Sequence, residues 1–241
     1  MRTHAGIILQ ARYGSARLRG KILEPVSGRT ILEHCLRRLT QAGVARVVLA
    51  TTAQPEDDVL EHIATRMGVA VFRGDTEDVL GRYAEAAAKF GLDPVLRATG
   101  DNPGVDVQSP GRVIAALRSA QADYIREEGL PCGAAVEGFT AAALARAAKL
   151  ATDPYDREHV TTFIRKRRDL FRVTQVDAPA SLCRPSLRIT VDTKEDLAWV
   201  RELFYRTGSE HPSLASLIAA SGCRKAPTPP APAPFYGTEV A

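Results

Sequence analysis

A loop rich in cations follows the first apolar segment of this 241-residue chain. Its charged side chains are Arg12, Arg17, Arg19 and Lys21. The loop is not a P-loop, because five residues separate Gly14 from Gly20 and Ile22 stands where a Ser or Thr would bind magnesium. Backbone N–H groups and cations of such a loop can surround several phosphates. We therefore interpret it as a phosphate-binding loop; the alternative is an exposed turn with solubilising charges.

Two aspartates come directly after segments that we predict to be strands. Asp101 follows the segment 95–98, and Asp192 follows the segment 187–191. Open α/β sheets bind ligands at the carboxyl ends of their strands, and carboxylates are preferred ligands of magnesium. Taken singly, Asp101 could form an Asx turn and Asp192 could be a helix N-cap. Together with the cationic loop, they point to magnesium-assisted chemistry on a nucleotide.

The elements that must position these residues alternate along the first half of the chain. We predict strands at 5–9, 47–50, 69–72 and 95–98. Between them we predict one helix that begins after Thr30 and ends before Gly43, and two more at 57–67 and 77–90. Alternation of strands with helices of this length indicates βαβ units. We therefore expect a single α/β domain with a mostly parallel, twisted sheet that is flanked by helices.

The second half of the chain is less regular. We predict helices at 140–151, 155–167, 194–206 and 212–220, and strands at 171–176 and 187–191. Five of the fifteen prolines lie between positions 227 and 234. A Pro/Ala-rich segment cannot join a helix or a sheet interior. The predicted domain therefore spans residues 1–225, and residues 226–241 are predicted to be a flexible C-terminal tail.

Composition excludes several classes of protein. Hydrophobic residues make up 45% and charged residues 25% of the chain, which is typical of a globular protein. The net charge of +4 is not concentrated in a patch of cations and aromatics, so we expect no nucleic-acid partner. No window approaches the roughly 18 apolar residues of a membrane span, and the four cysteines form no CxxC pair. We expect a cytoplasmic protein without a membrane partner.

Four segments resemble one known family in the order in which they occur. The segments are 10–21, 100–103, 157–161 and 191–197, and the family is the cytidylyltransferases that include the CMP-KDO synthetases. The chain resembles the spore-coat polysaccharide biosynthesis branch most, over about residues 5 to 210. The resemblance implies a nucleotide-diphospho-sugar-transferase-like fold, CTP as donor, Mg²⁺ as cofactor and a homodimer. It also implies transfer of CMP to a small acceptor, which is a sugar acid, a sugar, a phosphate or a phosphonate, with release of pyrophosphate.

The resemblance implies roles for individual residues. The catalytic residues would be Arg12 and Lys21, which hold the triphosphate, and Asp101 and Asp192, which hold the metal. The nucleotide-binding residues would be Gln10, Ala11, Arg12, Gly14, Ser15, Arg17, Lys21, Arg73, Asp75, Asp78, Thr99 and Asp101. The acceptor-binding residues would be Glu137, Arg157 and His159.

The chain also departs from the family pattern. Arg19 stands where the family usually has Pro, and the segment 104–107 keeps only Asp106 of the family's usual residues. The aspartate that usually precedes the pair Val136–Glu137 is missing. Two alternatives therefore stay open: a nucleotide-sugar-dependent glycosyltransferase of related fold, and a non-catalytic nucleotide-binding homologue. The chain lacks the Asp-x-Asp triplet of many glycosyltransferases, and the GxGxxG fingerprint of dehydrogenases is absent as well.

Overall fold

The computed structural model describes residues 4–15 and 17–222 of the chain. The strands in this part are β1 His4–Gln10, β2 Pro25–Val26, β3 Arg29–Thr30, β4 Arg46–Thr52, β5 Ala70–Gly74, β6 Leu92–Thr99, β7 Tyr124–Glu128, β8 Glu137–Phe139 and β9 Val173–Asp177. The helices are α1 Ile31–Thr40, α2 Asp58–Arg66, α3 Val79–Phe90, α4 Ser109–Ala120, α5 Ala141–Leu150, α6 Pro154–Glu158, α7 Thr162–Lys166, α8 Lys194–Thr207 and α9 Leu214–Ser221.

Seven of these strands form one sheet in the order β5-β4-β1-β6-β8-β7-β9. The neighbours β5, β4, β1 and β6 run parallel, and so do β7 and β9. Only β8, among the strands of this sheet, is antiparallel to its neighbours. The prediction of an α/β domain with a mostly parallel sheet is therefore confirmed.

The central strand β1 is buried on both faces. Its side chains alternate between the two faces, as in any strand. Ile7 and Leu9 belong to one hydrophobic core, whereas Ile8 belongs to the core on the other face of the sheet. Helices cover both faces, which explains why this strand reads as a continuous apolar run in the sequence.

The predicted start and end signals of the first helices are present in the structure. Thr30 and Glu33 form a reciprocal capping box at the start of α1. Gly91 ends α3 in a left-handed conformation at φ 62°, which a residue without Cβ adopts at little cost. These local signals fix where each helix stops and where the next strand can begin.

Two predicted elements in the second half were wrong. Residues 187–191 do not form a strand; they hydrogen-bond to the irregular segments around Cys132 and Asp101, with one isolated bridge between Cys132 and Arg188. The predicted helix 155–167 is two short helices, α6 and α7. They are separated at Val160, which is buried and has φ 54°. Helix α4 and strands β2, β3, β7 and β8 were not predicted from the sequence.

The predicted C-terminal tail, 226–241, lies outside the described residues. Among the helices that the structure describes, none combines the length and the apolar character needed to cross a membrane.

Candidate active site

A cleft of about 570 Å³ opens where strands β1 and β6 end. It lies at the carboxyl edge of the parallel strands, where ligands bind in open α/β sheets. Its lining residues are Gln10, Ala11, Arg12, Ser15, Arg17, Lys21, Ile22, Val79, Arg82, Arg97, Thr99, Gly100, Asp101, Glu158 and His159.

The cation-rich loop after β1 forms one wall of this cleft. The N–H of Tyr13 donates to the buried carboxylate of Asp57 at 2.7 Å, and the N–H of Gly20 donates to the Tyr13 carbonyl at 2.9 Å. Gly20 has φ 71°, and an added Cβ there would lie 3.1 Å from the Tyr13 ring. The loop is therefore folded back on itself; Arg12, Arg17 and Lys21 line the cleft, whereas Arg19 pairs with Glu56 at 2.7 Å outside it.

Backbone pairing brings the two aspartates together. The N–H of Val191 donates to the carbonyl of Asp101 at 2.9 Å, which places the segment that ends in Asp192 beside the end of β6. Gly100 lies against this junction, and its N–H donates to the Gln10 carbonyl at 2.8 Å. The segment 187–191 is not a strand, yet it delivers Asp192 to the position that the strand prediction required.

Lys21 connects the two carboxylates. Its ammonium donates to Asp101 Oδ2 at 3.1 Å, to Asp192 Oδ1 at 2.9 Å and to the Val191 carbonyl at 2.7 Å. Lys21 is only 9% exposed, so water cannot compensate its positive charge. The two aspartates compensate it instead. The structure thus brings together three of the four residues that were predicted to be catalytic.

Asp192 is fixed by further cations. Arg17 donates to its Oδ1 and Arg188 to its Oδ2, both at 2.6 Å. Asp192 is not the N-cap of α8, because Thr193 fills that role in a capping box with Asp196. Burial raises the pKa of Asp192, but Lys21, Arg188 and Arg17 outweigh it and hold this pKa below its usual value. Asp192 is therefore an ionised side chain with a set orientation.

The donor chemistry of this pair fits a magnesium ion. Mg²⁺ is usually bound by one or two carboxylates together with substrate phosphates, and both groups here offer oxygen alone. No group of three or more His, Cys, Asp or Glu that could hold a metal ion occurs within residues 4–15 and 17–222. Asp101 and Asp192 would therefore share the ion with the phosphates of a bound nucleotide.

Of the three predicted acceptor-binding residues, His159 lines the cleft, whereas Glu137 and Arg157 do not and are bonded within the protein. Glu137 on β8 accepts from Arg97 at 2.6 Å, from the Tyr124 hydroxyl at 2.5 Å and from Thr161 at 3.2 Å. Burial raises the pKa of Glu137, but Arg97 and the hydrogen bonds outweigh it, so that this pKa lies below its usual value. The carboxylate is thereby fully engaged.

Arg157 is likewise engaged within the protein. It forms an ion pair with Asp78 and donates to the carbonyls of Ala148 and Ala151, both at 2.9 Å. Asp78 is also the N-cap of α3, where it accepts from the Gly81 N–H. Arg157, on α6, therefore ties the start of α3 to the end of α5.

His159 and Glu158 lie at the cleft surface beside this tie. The His159 ring packs edge-on against Tyr155 at a centroid distance of 4.2 Å, and burial lowers its pKa below the usual value. Glu158 is 3.7 Å from the guanidinium of Arg12, a contact between half-exposed side chains. An exposed ion pair of this length is weak, so Arg12 can readily exchange it for a phosphate.

Eight of the twelve predicted nucleotide-binding residues line the cleft, and four do not. Gly14 packs against Glu56, where an added Cβ would lie 2.7 Å from Oε1. Arg73 pairs with Asp58 and Glu61 at 2.6 and 2.8 Å. Asp75 accepts two backbone N–H groups in a turn, and Asp78 caps α3. The nucleotide roles of these four residues stay predictions.

Sequence reasoning missed three arginines of the site. Arg188 orients Asp192, Arg97 lines the cleft beside Glu137, and Arg82 lines it from α3. The signals were present: Arg188 precedes Asp192 by four residues, and Arg82 follows the helix start at Val79 by one turn. Because isolated cations are common on exposed helix faces, these three arginines could be recognised as site residues only after the tertiary structure showed where they lie.

Comparisons of the sequence identify relatives of the chain. The profile of the cytidylyltransferase family matches residues 6–208. The spore coat polysaccharide biosynthesis protein SpsF of Bacillus subtilis is 34% identical over 215 residues, which cover 87% of this chain and 89% of SpsF. The 3-deoxy-manno-octulosonate cytidylyltransferase of Elusimicrobium minutum is 35% identical over 113 residues, 46% of this chain and 45% of that protein.

Solved structures share the fold. A cytidylyltransferase from Leptospira borgpetersenii superposes with a TM-score of 0.84 at 30% identity, over 91% of this chain and 94% of that one. A CMP:2-keto-3-deoxy-manno-octonic acid synthetase in complex with CTP has a TM-score of 0.65 at 21% identity, over 84% of this chain and 99% of that one. A Mycobacterium tuberculosis protein in complex with manganese has a TM-score of 0.57 at 20% identity, over 82% and 97%. The last two likenesses concern the fold alone.

The residues that carry the resemblance therefore lie in a profile match that spans most of the chain, and three of them meet at one edge of the sheet. This chain belongs to the cytidylyltransferase family and is a nucleotidyltransferase.

Proposed function

We propose that the enzyme transfers CMP from CTP to a small acceptor and releases pyrophosphate, with Mg²⁺ as its cofactor. One observation carries the proposal: Lys21, which lines the cleft together with Asp101, Arg12 and Arg17, bonds to both Asp101 and Asp192. A site of this kind suits a polyanion that arrives with a divalent cation. The octulosonate cytidylyltransferase supports the same reaction class by its similarity to this chain.

The reaction is an in-line displacement at the α-phosphorus of CTP. An acceptor oxygen forms the new bond to phosphorus, the bond to the oxygen that bridges the α- and β-phosphates breaks, and pyrophosphate departs with that electron pair. Arg12 and Lys21 stabilise the charge on the leaving pyrophosphate. Because Lys21 is held in place by Asp101, Asp192 and the Val191 carbonyl before the reaction, it lowers the barrier without reorganising, and a preorganised group of this kind is worth about 10²–10³ in rate.

The metal would be held by Asp101 and Asp192. When bound, it neutralises and polarises phosphate oxygens, an effect worth several kcal/mol in such sites. Arg188 and Arg17 keep the Asp192 carboxylate ionised and oriented for this role. The manganese complex of the fold neighbour is consistent with a divalent ion at such a site.

The acceptor would occupy the end of the cleft near His159. The proposed acceptor is a sugar acid, a sugar, a phosphate or a phosphonate. His159 reaches the cleft surface, whereas Glu137 and Arg157 shape this end through their bonds within the protein. We further propose a cytoplasmic homodimer, by similarity to the family.

A thermal-shift panel tests the proposal. The ligands are CTP, UTP, ATP, GTP and CDP-sugars, with and without Mg²⁺, on the unaltered protein and on the variant Asp101→Asn. We expect stabilisation by CTP alone, dependent on Mg²⁺ and absent from the variant. A ligand at 100 times its Kd adds about 2.7 kcal/mol to the free energy of unfolding, which is a readily measured shift. Asp169→Asn, at an exposed ion pair with Arg167, is the matched control.

Other results would favour the alternatives. Stabilisation by a nucleotide sugar but not by CTP would indicate a glycosyltransferase. Stabilisation by CTP with no pyrophosphate release from any acceptor of the four classes would indicate a non-catalytic homologue. Near-normal pyrophosphate release by a folded Asp192→Asn variant would contradict the metal role of Asp192.

A further inference from the structure

Arg82 is a buried cation whose own surroundings leave it incompletely paired. It lies on the first turn of α3, is 3% exposed and lines the cleft together with Val79. Its Nη1 donates to the Asp75 carbonyl at 2.5 Å, but its Nε is buried with no hydrogen-bond partner. Within residues 4–15 and 17–222, Arg82 forms no ion pair with any carboxylate. A buried charge in this state lowers the stability of the folded protein.

The surroundings of Arg82 offset this cost only in part. Burial lowers its pKa and the positive charge of Arg12, which also lines the cleft, lowers it further, whereas the charges of Asp57 and Asp75 raise it without restoring its usual value. The nearby carboxylate of Asp57 is committed to the N–H groups of Tyr13 and Thr52. Arg82 and Arg12 thus line one cleft, and neither has a close carboxylate partner: Arg82 forms no ion pair among the described residues, and Arg12 has only the 3.7 Å contact with Glu158.

Arg38 shows what a guanidinium buried for structural reasons looks like in the same protein. It is 7% exposed, and burial lowers its pKa as well. However, its nitrogens donate to the carbonyls of Val105 and Pro212, both at 2.6 Å, and to that of Gly104 at 3.5 Å. Arg38 does not line the cleft, and its contacts join three segments of the chain. Arg82 has no comparable set of contacts.

We infer that Arg82 binds a phosphate oxygen of the nucleotide together with Arg12, and that its incomplete pairing in the free protein is the cost of this role. The inference rests on the proposed function, and it adds a nucleotide-binding residue on the wall formed by α3. The anion would lie between the two guanidinium groups and compensate both. Charge-assisted hydrogen bonds from a guanidinium are among the stronger contacts available to a phosphate.

The variant Arg82→Met tests the inference, because we expect it to stabilise the free protein and at the same time to weaken CTP binding. Methionine keeps an apolar stem of similar length and removes the uncompensated charge, so we expect the melting temperature of the free protein to rise by about 2 °C or more. We expect the Kd for CTP to rise about 10-fold to 100-fold, as measured by calorimetric titration in the presence of Mg²⁺. Arg82→Lys retains a cation and should recover part of the lost affinity.

Arg38→Met is the matched control. It leaves several backbone carbonyls without their donor, so we expect its melting temperature to fall by several degrees while its Kd for CTP stays unchanged. If Arg82→Met also melts at a lower temperature, or if it binds CTP as tightly as the unaltered protein, the inference is wrong. Failure of the unaltered protein to bind CTP would count against the proposed function instead, because the change in melting temperature without ligand tests Arg82 independently.

Discussion

The two ends of the cleft use charged side chains differently. At the end formed by the loop after β1, Arg12 and Arg17 are partly exposed, and Arg12 can exchange its weak contact with Glu158 for a ligand. Near β8, Glu137 and Arg157 do not line the cleft and are engaged by several partners within the protein. The difference shows that an exposed cation such as Arg12 is available to a ligand, whereas Glu137 and Arg157 hold neighbouring segments of the protein together.

Substitutions at the two ends should therefore affect different properties of the protein, activity at one end and stability at the other. Changes at the nucleotide end should reduce turnover first, because the groups there act on the ligand. Changes at the β8 end should reduce stability first, because they leave buried partners unpaired. Three substitutions test this division.

The largest effect is expected at Lys21. The change Lys21→Met removes the ammonium that connects Asp101 and Asp192, and with it a preorganised charge for the triphosphate. We expect kcat to fall about 10²–10³-fold in a pyrophosphate-release assay, with the protein still folded by circular dichroism. Lys166→Met, whose partner Asp156 does not line the cleft, is the control and should keep its activity. Comparable activity in both variants would show that Lys21 does not act on the nucleotide.

A large effect on stability is expected at Glu137. The change Glu137→Gln removes the charge that pairs with Arg97, and breaking such a buried pair costs about 3 kcal/mol in the free energy of unfolding. Denaturant unfolding measures this loss, and Glu128→Gln, at an exposed pair with Arg126, serves as the control with little change. An unchanged unfolding free energy would show that Glu137 is not a structural carboxylate.

The same carboxylate predicts a dependence of stability on pH. The pKa of Glu137 in the folded protein lies below its value in the unfolded chain, which is about 4.3. Its contribution is therefore fully present above about pH 5 and is lost as the pH falls through the lowered pKa. Unfolding curves from pH 7 to pH 3 should show a shallower acid loss in Glu137→Gln than in the unaltered protein. An identical acid slope in both proteins would contradict this assignment.

The smallest effect is expected at His159. Its pKa is lowered by burial, so the ring is neutral at pH 7 and contributes no charge to CTP binding. We expect His159→Gln to change the Kd for CTP by less than about twofold, within the small range of substitutions away from charged contacts. His62→Gln, on the exposed face of α2, is the control. If His159→Gln lost much of its CTP affinity and His62→Gln did not, we would conclude that the nucleotide extends to the end of the cleft near His159.

The first half of the fold was predictable because its signals are local. The strands β1, β4, β5 and β6 are short apolar runs, and the helices between them carry caps and glycine stops. Strand β7 escaped prediction because its buried Glu127 is paired with Ser109 and Arg112, so the segment does not look apolar. Strand β8 is three residues long and contains Gly138, which leaves almost no pattern to detect.

The segment 187–191, by contrast, was predicted to be a strand and is not one. Its alternation of Leu187, Ile189 and Val191 with polar residues is typical of a strand, and these three side chains are indeed buried. Its backbone, however, bonds to irregular segments and not to a neighbouring strand. The polar residues between them, Arg188 and Thr190, are buried as well, so the alternation here reflects neither a half-exposed strand nor a sheet partner.

The sequence by itself determined the order of strands and helices, the cationic loop and the two acids at predicted segment ends. Only the tertiary structure decided that Lys21 bonds to acids 80 and 171 residues away, and that Arg188 and Arg17 hold one of them. It also decided which arginines were satisfied internally and which faced the cleft. The physical reason is that caps and periodicity act between near neighbours in the chain, whereas the pairing of a buried charge depends on which distant segments pack around it.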